Sequence, residues 1–320
     1  MSGQAPRTAL MGIAAAAGLL AAPTPSLGQA WLPPKGEASF NLVYQYQRAP
    51  WHTSSTGERL DRGLMEWNYV MADLGYSISD RLAVRVAVPF VLSKYTGTFP
   101  HRMNGNVVRA DNGSQHGTLQ DLRVEARFMA TSGSLIVTPF VTGGFPTVKY
   151  ETMGHASPGR GLWEVGTGVN LGRRLDPFLP NAYAQGRYAI TIAEKVVGRP
   201  HNRSNASLDL GYFLTSALTL RASVAGQMTH GGLRAPQDTS NPANLLFHDR
   251  LVREDYFGVG TGVSYALTGS TDVFVSGFKQ LSGRNGVLSS TLAFGIAQNF
   301  SPAQIIRKMR RSPSAASTEP

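Results

Sequence analysis

The sequence predicts an all-β protein, a transmembrane antiparallel up-and-down β-barrel of about twelve strands. Roughly a dozen stretches alternate apolar with polar or small side chains, and the connections between them are alternately very short and long. The chain also opens on a secretory signal. A strand that crosses a bilayer takes about 9–11 residues and shows lipid and lumen on alternate positions, which is the rhythm found here.

Residues 1 to 30 have the parts of a signal peptide. Arg7 is the positive n-region, Leu10 to Ala22 the apolar core, and Gly28-Gln29-Ala30 a small-x-small cleavage site. The mature chain then begins near Trp31. A short transmembrane anchor does not fit, because the apolar run is brief and ends in Pro23, Pro25 and Gly28. No later run reaches about eighteen apolar residues, which excludes transmembrane helices. Cysteine is absent, so closure of the strand ladder, not disulfides or thiolate metal sites, has to hold the protein together. Of the net charge of +10, Arg7 leaves with the signal, and the tail carries Arg307, Lys308, Arg310 and Arg311 against Glu319, so residues 31 to 300 keep +6. Those basic residues are spread over loops and alternate strand positions instead of one face with interleaved aromatics, so no nucleic-acid partner is expected.

In chain order, strands are expected near residues 36 to 48, 64 to 76, 82 to 93, 118 to 130, 134 to 145, 160 to 173, 181 to 195, 203 to 214, 217 to 229, 254 to 267, 271 to 281 and 287 to 300. The count is even, as single-chain bacterial barrels require. In the third, Leu82, Val84, Val86, Val88 and Phe90 share one face, and Arg85 points the other way. In the fourth, Leu122, Val124, Ala126 and Phe128 oppose Asp121, Arg123, Glu125 and Arg127, a row of charges hard to place in a soluble sandwich core. The ninth puts Leu218, Leu220, Ala222 and Val224 outward, with Thr219, Arg221, Ser223 and Gln227 inward. The stretches at 64 to 76, 134 to 145 and 271 to 281 do not reveal their register.

Connections at 77 to 81, 131 to 133, 174 to 180, 215 to 216 and 268 to 270 are short and carry turn formers such as Ser79-Asp80, Ser132-Gly133, Asp176-Pro177 and Thr268-Gly269. Those at 49 to 63, 94 to 117, 146 to 159 and 230 to 253 are long and polar, while 196 to 202 and 282 to 286 on the same side are short. Short turns on one side and long loops on the other match an outer-membrane arrangement with both termini periplasmic. A soluble β-sandwich also alternates. Against it stand the signal, strands longer than about five or six residues, and the aromatics Tyr44, Tyr46, Trp67, Tyr69, Trp163, Tyr183, Tyr188 and Tyr212, many near expected strand ends where interfacial girdles form.

Motifs with chemical overtones are weak. Gly166-Thr167-Gly168 and the glycines at 258, 260 and 262 lie inside alternating strands with no helix after them, so they are not phosphate loops. They keep the wall small beside bulky neighbours, and they leave lumen space that a filled structural barrel would not. His201-Asn202-Arg203-Ser204-Asn205 distantly resembles the His-x-Ser-Asn pattern of outer-membrane phospholipase A. Here His and Ser are three apart and fall on opposite faces of a strand, so no catalytic residues are assigned, and no Ser/His pair on one outward face is expected. All seven histidines, 52, 101, 116, 155, 201, 230 and 248, fall in outer loops or at their edges. Converging loops can assemble an imidazole site, but no His-x-His or His-x₃-His spacing occurs, so neither metal nor cofactor is assigned.

The inward charges are the best functional candidates: Arg85, Asp121, Arg123, Glu125, Arg127, Glu164, Arg187, Asp209 and Arg221. Two roles are open to them. They pair and fill the interior, or they set the field along a solute path.

The segments Gly75 to Phe90, Gly117 to Phe128 and Asp209 to Leu220 resemble the outer-membrane family named for the meta-cleavage pathway of phenol degradation. The likeness is one of pattern over residues 36 to 300. It implies a transporter-like channel, in the outer membrane of a Gram-negative bacterium, for passive passage of small, often aromatic or hydrophobic, solutes. The competing classes are a closed structural or adhesin-type barrel and, further off, a lipid-modifying enzyme. The organisation expected is a signal peptide over 1–30, a barrel over 31–300 and a disordered basic periplasmic tail over 301–320. Expected partners are membrane lipid and lipopolysaccharide, the solute, and the barrel-assembly machinery, which reads an aromatic strand end such as Phe300. Too few mature residues precede the first strand for an N-terminal plug.

Overall fold

The computed structural model describes residues 30–311 except 235–237, 239–240, 242–243 and 245. The signal expected over residues 1 to 30 lies outside the described residues but for Ala30, and so do residues 312–320 of the tail. Twelve strands form one ring: β1 (Ala38–Thr53), β2 (Leu64–Ser79), β3 (Leu82–Thr96), β4 (His116–Leu119 continued by Leu122–Phe128), β5 (Ile136–Phe145) and β6 (Glu164–Arg174). They are followed by β7 (Ala182–Ala193), β8 (His201–Phe213), β9 (Leu218–Gly231), β10 (Asp255–Ala266), β11 (Thr271–Arg284) and β12 (Val287–Phe300). Each pairs antiparallel with the next, and β12 closes on β1 from Ala38↔Phe300 to His52↔Val287. Closure matters physically, because an open edge would leave backbone N–H and C=O groups unpaired in hydrocarbon. Every stretch expected to be a strand is one.

The outward positions are apolar and exposed, among them Val84, Val86, Val88 and Phe90 on β3 and Leu208, Leu210 and Tyr212 on β8. Apolar surface on this scale needs a lipid solvent. β4 breaks at Gln120 and Asp121. Its neighbour at that level is Pro89, which has no N–H to give to the ladder, so only Gln120 N→Pro89 O, at 2.8 Å, spans the gap.

Three sequence expectations change. Trp67, Tyr69 and Tyr183 belong to no interfacial girdle. Trp67 and Tyr69 are buried inside the ring, and the Tyr183 ring lies over Gly211. On β2 the usual polarity is inverted: Met65, Trp67, Tyr69 and Met71 face inward, while Glu66 and Asn68 face outward and accept hydrogen bonds from the Tyr46 and Tyr44 hydroxyls, each at 2.5 Å. That inversion hid the register of this strand. The segment after Phe300 is not disordered throughout, since α2 (Pro302–Arg311) follows at once. Pro302 suits a first helical position, and Gln304 N and Ile305 N both bond to Ser301 O.

Candidate functional site

The interior has two unlike walls. On β1–β3, β11 and β12 two apolar and aromatic clusters are set among buried polar side chains such as Gln45, Gln47 and Gln280. Val43, Met71, Ala87, Phe274, Ala293 and Ala297 form one buried cluster nearer the end with the short turns. Ala49, Met65, Trp67, Tyr69, Val91 and Tyr95 form another nearer the end with the long loops. The wall glycines do not leave the space expected of them. A Cβ on Gly168 would lie 2.6 Å from the Phe140 ring, and one on Gly258 would lie 2.5 Å from Phe278, so the small residues are roofed by large ones.

The opposite wall, β4–β9, carries most of the charges, with one further pair, Arg85 and Asp73, on β3 and β2. All nine residues named from the sequence point into the ring. Glu125 takes Arg187 at 2.7 Å and Arg127 at 3.5 Å, and the Arg187 guanidinium also donates to Asn170 and lies 3.7 Å from the Phe140 ring centroid. Arg221 faces Asp209 at 3.6 Å. Arg85 pairs with Asp73 at 2.5 Å, and Asn41 donates to the same carboxylate. Nearer the loops, Glu164 joins Arg203 at 2.7 Å and Arg123 at 3.4 Å, and Asp121 accepts from the Tyr150 hydroxyl. Sequence reasoning missed Asp73, Arg203, Arg160 and Glu254. Asp73 sits on the inverted strand. Arg203 shares a face with His201, and that spacing was its signal. Arg160 and Glu254 stand at the starts of the strands expected at 160 to 173 and 254 to 267, but those strands begin only at Glu164 and Asp255, so both residues belong to the loops, where no periodicity marks an inward residue.

Both loops fold into the loop end. The β5–β6 connection pushes Ala156 into the Trp67 and Tyr95 cluster, where Trp67 Nε1 donates to Ser157 O at 3.2 Å and Gln120 Nε2 donates to Pro158 O. The β9–β10 connection, with its short helix α1 (His248–Leu251), packs Leu233 and Leu251 on Leu162, Ala193 and Val196. Reciprocal arginines lock the two. Arg160 reaches Glu254 at 3.0 Å and the carbonyls of Val252 and Arg250, while Arg250 returns to Arg160 O, Gly161 O and Glu194. Burial pulls Arg160 down to about 10, and Glu254 is pushed up by the same burial against the pull of Arg160.

At the turn end the described chain begins inside the barrel. Ala30 is fully buried, its N–H donates to Gln185 Oε1, and its carbonyl accepts from Thr138 Oγ1 at 2.6 Å. Gly172 leaves room there for Ala30 and Trp31 against the inner wall. In this conformation the lumen is closed along β1–β3, whose inward side chains from Asn41 to Tyr95 are buried. The remaining accessibility follows the charged wall, where Arg123 is 17% exposed and Asn205, Ser207 and Ser223 are partly so.

The loops also gather four of the seven histidines. His101, His155 and His248 meet at the mouth beside His52, with Asp111 and Asp249 among them. Burial lowers His155, and the neighbouring His101 adds to this; His101 is raised because its bond to Asp111 and the charge of Asp249 outweigh its own burial. His201 is buried between Arg160 and Arg203. On the outward face, contrary to expectation, Ser204 Oγ and His230 Nε2 lie 2.7 Å apart across β8 and β9. The pair arises from strand register over 26 positions, which sequence spacing does not show. His230 Nδ1 has no partner among the described residues, so nothing orients it as a base.

A closed ring with a lipid-facing apolar band and an ionic interior defines the outer-membrane β-barrel class. No family model matches the chain, and no curated protein does. Solved structures carry the likeness. The COG4313 outer membrane channel from Pseudomonas putida F1 superposes at a TM-score of 0.67 with 14% identity, over 86% of this chain and 99% of that one. The NanC porin gives 0.45 with 9% identity over 81% and 98%, and the beta domain of the Bordetella autotransporter Brka gives 0.48 with 12% identity over 83% and 100%.

Proposed function

We propose that this protein is an outer-membrane channel that lets small solutes pass passively, aromatic or hydrophobic ones among them, as in the meta-pathway family its sequence resembles. It has no enzymatic role. The carrying observation is the uneven lumen: Met and aromatic clusters with uncharged polar neighbours on β1–β3, β11 and β12 face the wall that holds most of the paired charges, so a small ring with a polar substituent meets a suitable surface on either side. In a Gram-negative envelope the turn end faces the periplasm and the long loops face outward, with lipid and lipopolysaccharide against the apolar band. The last strand ends on Phe300, available to the assembly machinery.

The two inserted loops are the gate. Both amide atoms of Gln45, the Tyr69 hydroxyl and the Thr291 hydroxyl have no hydrogen-bond partner among the described residues. A buried polar atom left so costs about 1–3 kcal/mol, which hydration recovers once the loops withdraw. The ionic rows then shape the field, with Arg123 more accessible than Arg127, Arg187, Arg203 or Arg221.

Planar-bilayer recording of the refolded full chain tests this reading. Discrete conductance whose ion selectivity shifts toward cations in Arg123→Glu supports it. A silent bilayer, under conditions in which heat-modifiable migration proves the barrel folded, favours the closed structural barrel. A current that ignores the charge reversal removes Arg123 from the path.

A further inference from the structure

We propose that His101, His248 and Asp249 form a site for one divalent cation of the zinc class at the loop end of the barrel. His101 comes from the β3–β4 loop, and the other two come from α1 in the β9–β10 loop. His101 Nε2 and His248 Nε2 face each other at 2.9 Å; Asp249 Oδ1 is 3.1 Å from His248 Nε2, and Asp249 Oδ2 is 3.9 Å from His101 Nε2. Ligand atoms at about 2.0–2.1 Å from a tetrahedral zinc lie about 3.3 Å from one another. One donor atom from each residue lies within 4.8 Å of the others, so the two imidazoles already stand at ligand spacing and the Asp249 carboxylate has to swing toward His101 to complete the face, with the fourth vertex left for water.

The surroundings point the same way. Asp111 Oδ2 accepts from His101 Nδ1 at 2.7 Å and from the His101 backbone N–H at 2.8 Å. With its proton on Nδ1, the ring turns the Nε2 lone pair toward His248, and a carboxylate behind an imidazole is the usual support for a ligating histidine. Asp249 is steadied by Gly154 N at 2.7 Å, which ties in the β5–β6 loop. Two imidazole nitrogens and one carboxylate select zinc or copper over calcium or magnesium, which prefer all-oxygen sets. Because the ligands and their supports come from three loops, the ion would pin those loops together. Binding is read without any current, so it stands or falls separately from passage through the lumen.

The test is calorimetric titration of the full chain, refolded in detergent and stripped with EDTA, against zinc chloride, with cobalt(II) absorption as a direct view of the ligand field. One ion per chain is expected, with a cobalt spectrum typical of four-coordinate nitrogen and oxygen. His248→Ala and the near-isosteric Asp249→Asn should each weaken binding at least tenfold, and Asp111→Asn about 10–100-fold. His230→Ala, on the outward face of the barrel, should change nothing. Heat-modifiable migration checks that each variant is folded. Absence of saturable binding by the wild type overturns the assignment, and so does wild-type affinity in a folded His248→Ala. Loss on His155→Ala alone would move the ion to the alternative group of His101, Asp111 and His155, and this ligand set would be wrong.

Discussion

Replacing Arg160 by Met tests whether the loops are held by the reciprocal arginines. Arg160 and Glu254 are both nearly inaccessible and lie 3.0 Å apart, and the arginine also bonds two carbonyls of the β9–β10 loop. Removing one partner of a buried pair costs about 3–5 kcal/mol, because the other charge is left without compensation. The lower figure applies here, since Glu254 is already pushed up by its burial and relieves part of the cost by taking a proton. The loss falls chiefly on the β9–β10 loop, which this latch and the Leu233 and Leu251 cluster hold, whereas the β5–β6 loop keeps its own anchors at Ala156, Ser157 and Pro158. At about 1.4 kcal/mol per tenfold, a loss of about 3 kcal/mol raises the fraction of opened loops about 100-fold. Hydrogen exchange reads this directly. Leu233 N bonds to Leu251 O at 2.7 Å and Arg253 N to Leu233 O at 2.8 Å, so those two amides should exchange about 100-fold faster while the strand amides of β1–β3 stay unchanged. The double variant Arg160→Met with Glu254→Gln should recover most of the protection, because removing both charges is close to neutral. Acceleration below about tenfold in the single variant, or no recovery in the double, would refute the latch.

Other outcomes follow from the wall. Trp67→Ala should cost about 3–5 kcal/mol by urea unfolding in detergent, through the hole left against Met65, Tyr95 and Ala156. Gly168→Ala should prevent assembly, seen as lost heat-modifiable migration, because its Cβ would meet Tyr188 O at 2.1 Å; Gly277→Ala, with nothing nearer than 3.8 Å, should fold normally. Ser204→Ala should leave the behaviour of the protein unchanged, and neither form should hydrolyse a short-chain ester, since His230 has no orienting partner among the described residues; turnover lost in the variant would count against the assignment of no catalysis.

The strands were readable in sequence because a period of two survives wherever lipid faces one side. On β3, β4 and β9 the apolar set stands outward and the ionic set inward, as expected. On β2 that logic fails, because Met and aromatic residues line the lumen while tyrosine hydroxyls satisfy the polar residues outside. The nine inward charges were visible as polar members of alternating rows. Arg160 and Glu254, which pair with each other, were not, since loop residues are positioned by tertiary contacts alone. The histidine cluster had no local spacing to announce it, because its members are brought together from separate loops across 147 positions.

The thin ladder at β4 has a mechanical consequence. Only six residue pairs, Phe140↔Arg127 to Phe145↔Leu122, zip β4 to β5, against a seam between the first and last strands that runs almost their full length. Under tension or thinning of the surrounding bilayer, the cylinder would part sideways there first. In a chain without a native thiol, one engineered cysteine staple across Val124 and Gly143 would be the sole disulfide and would keep that flank shut.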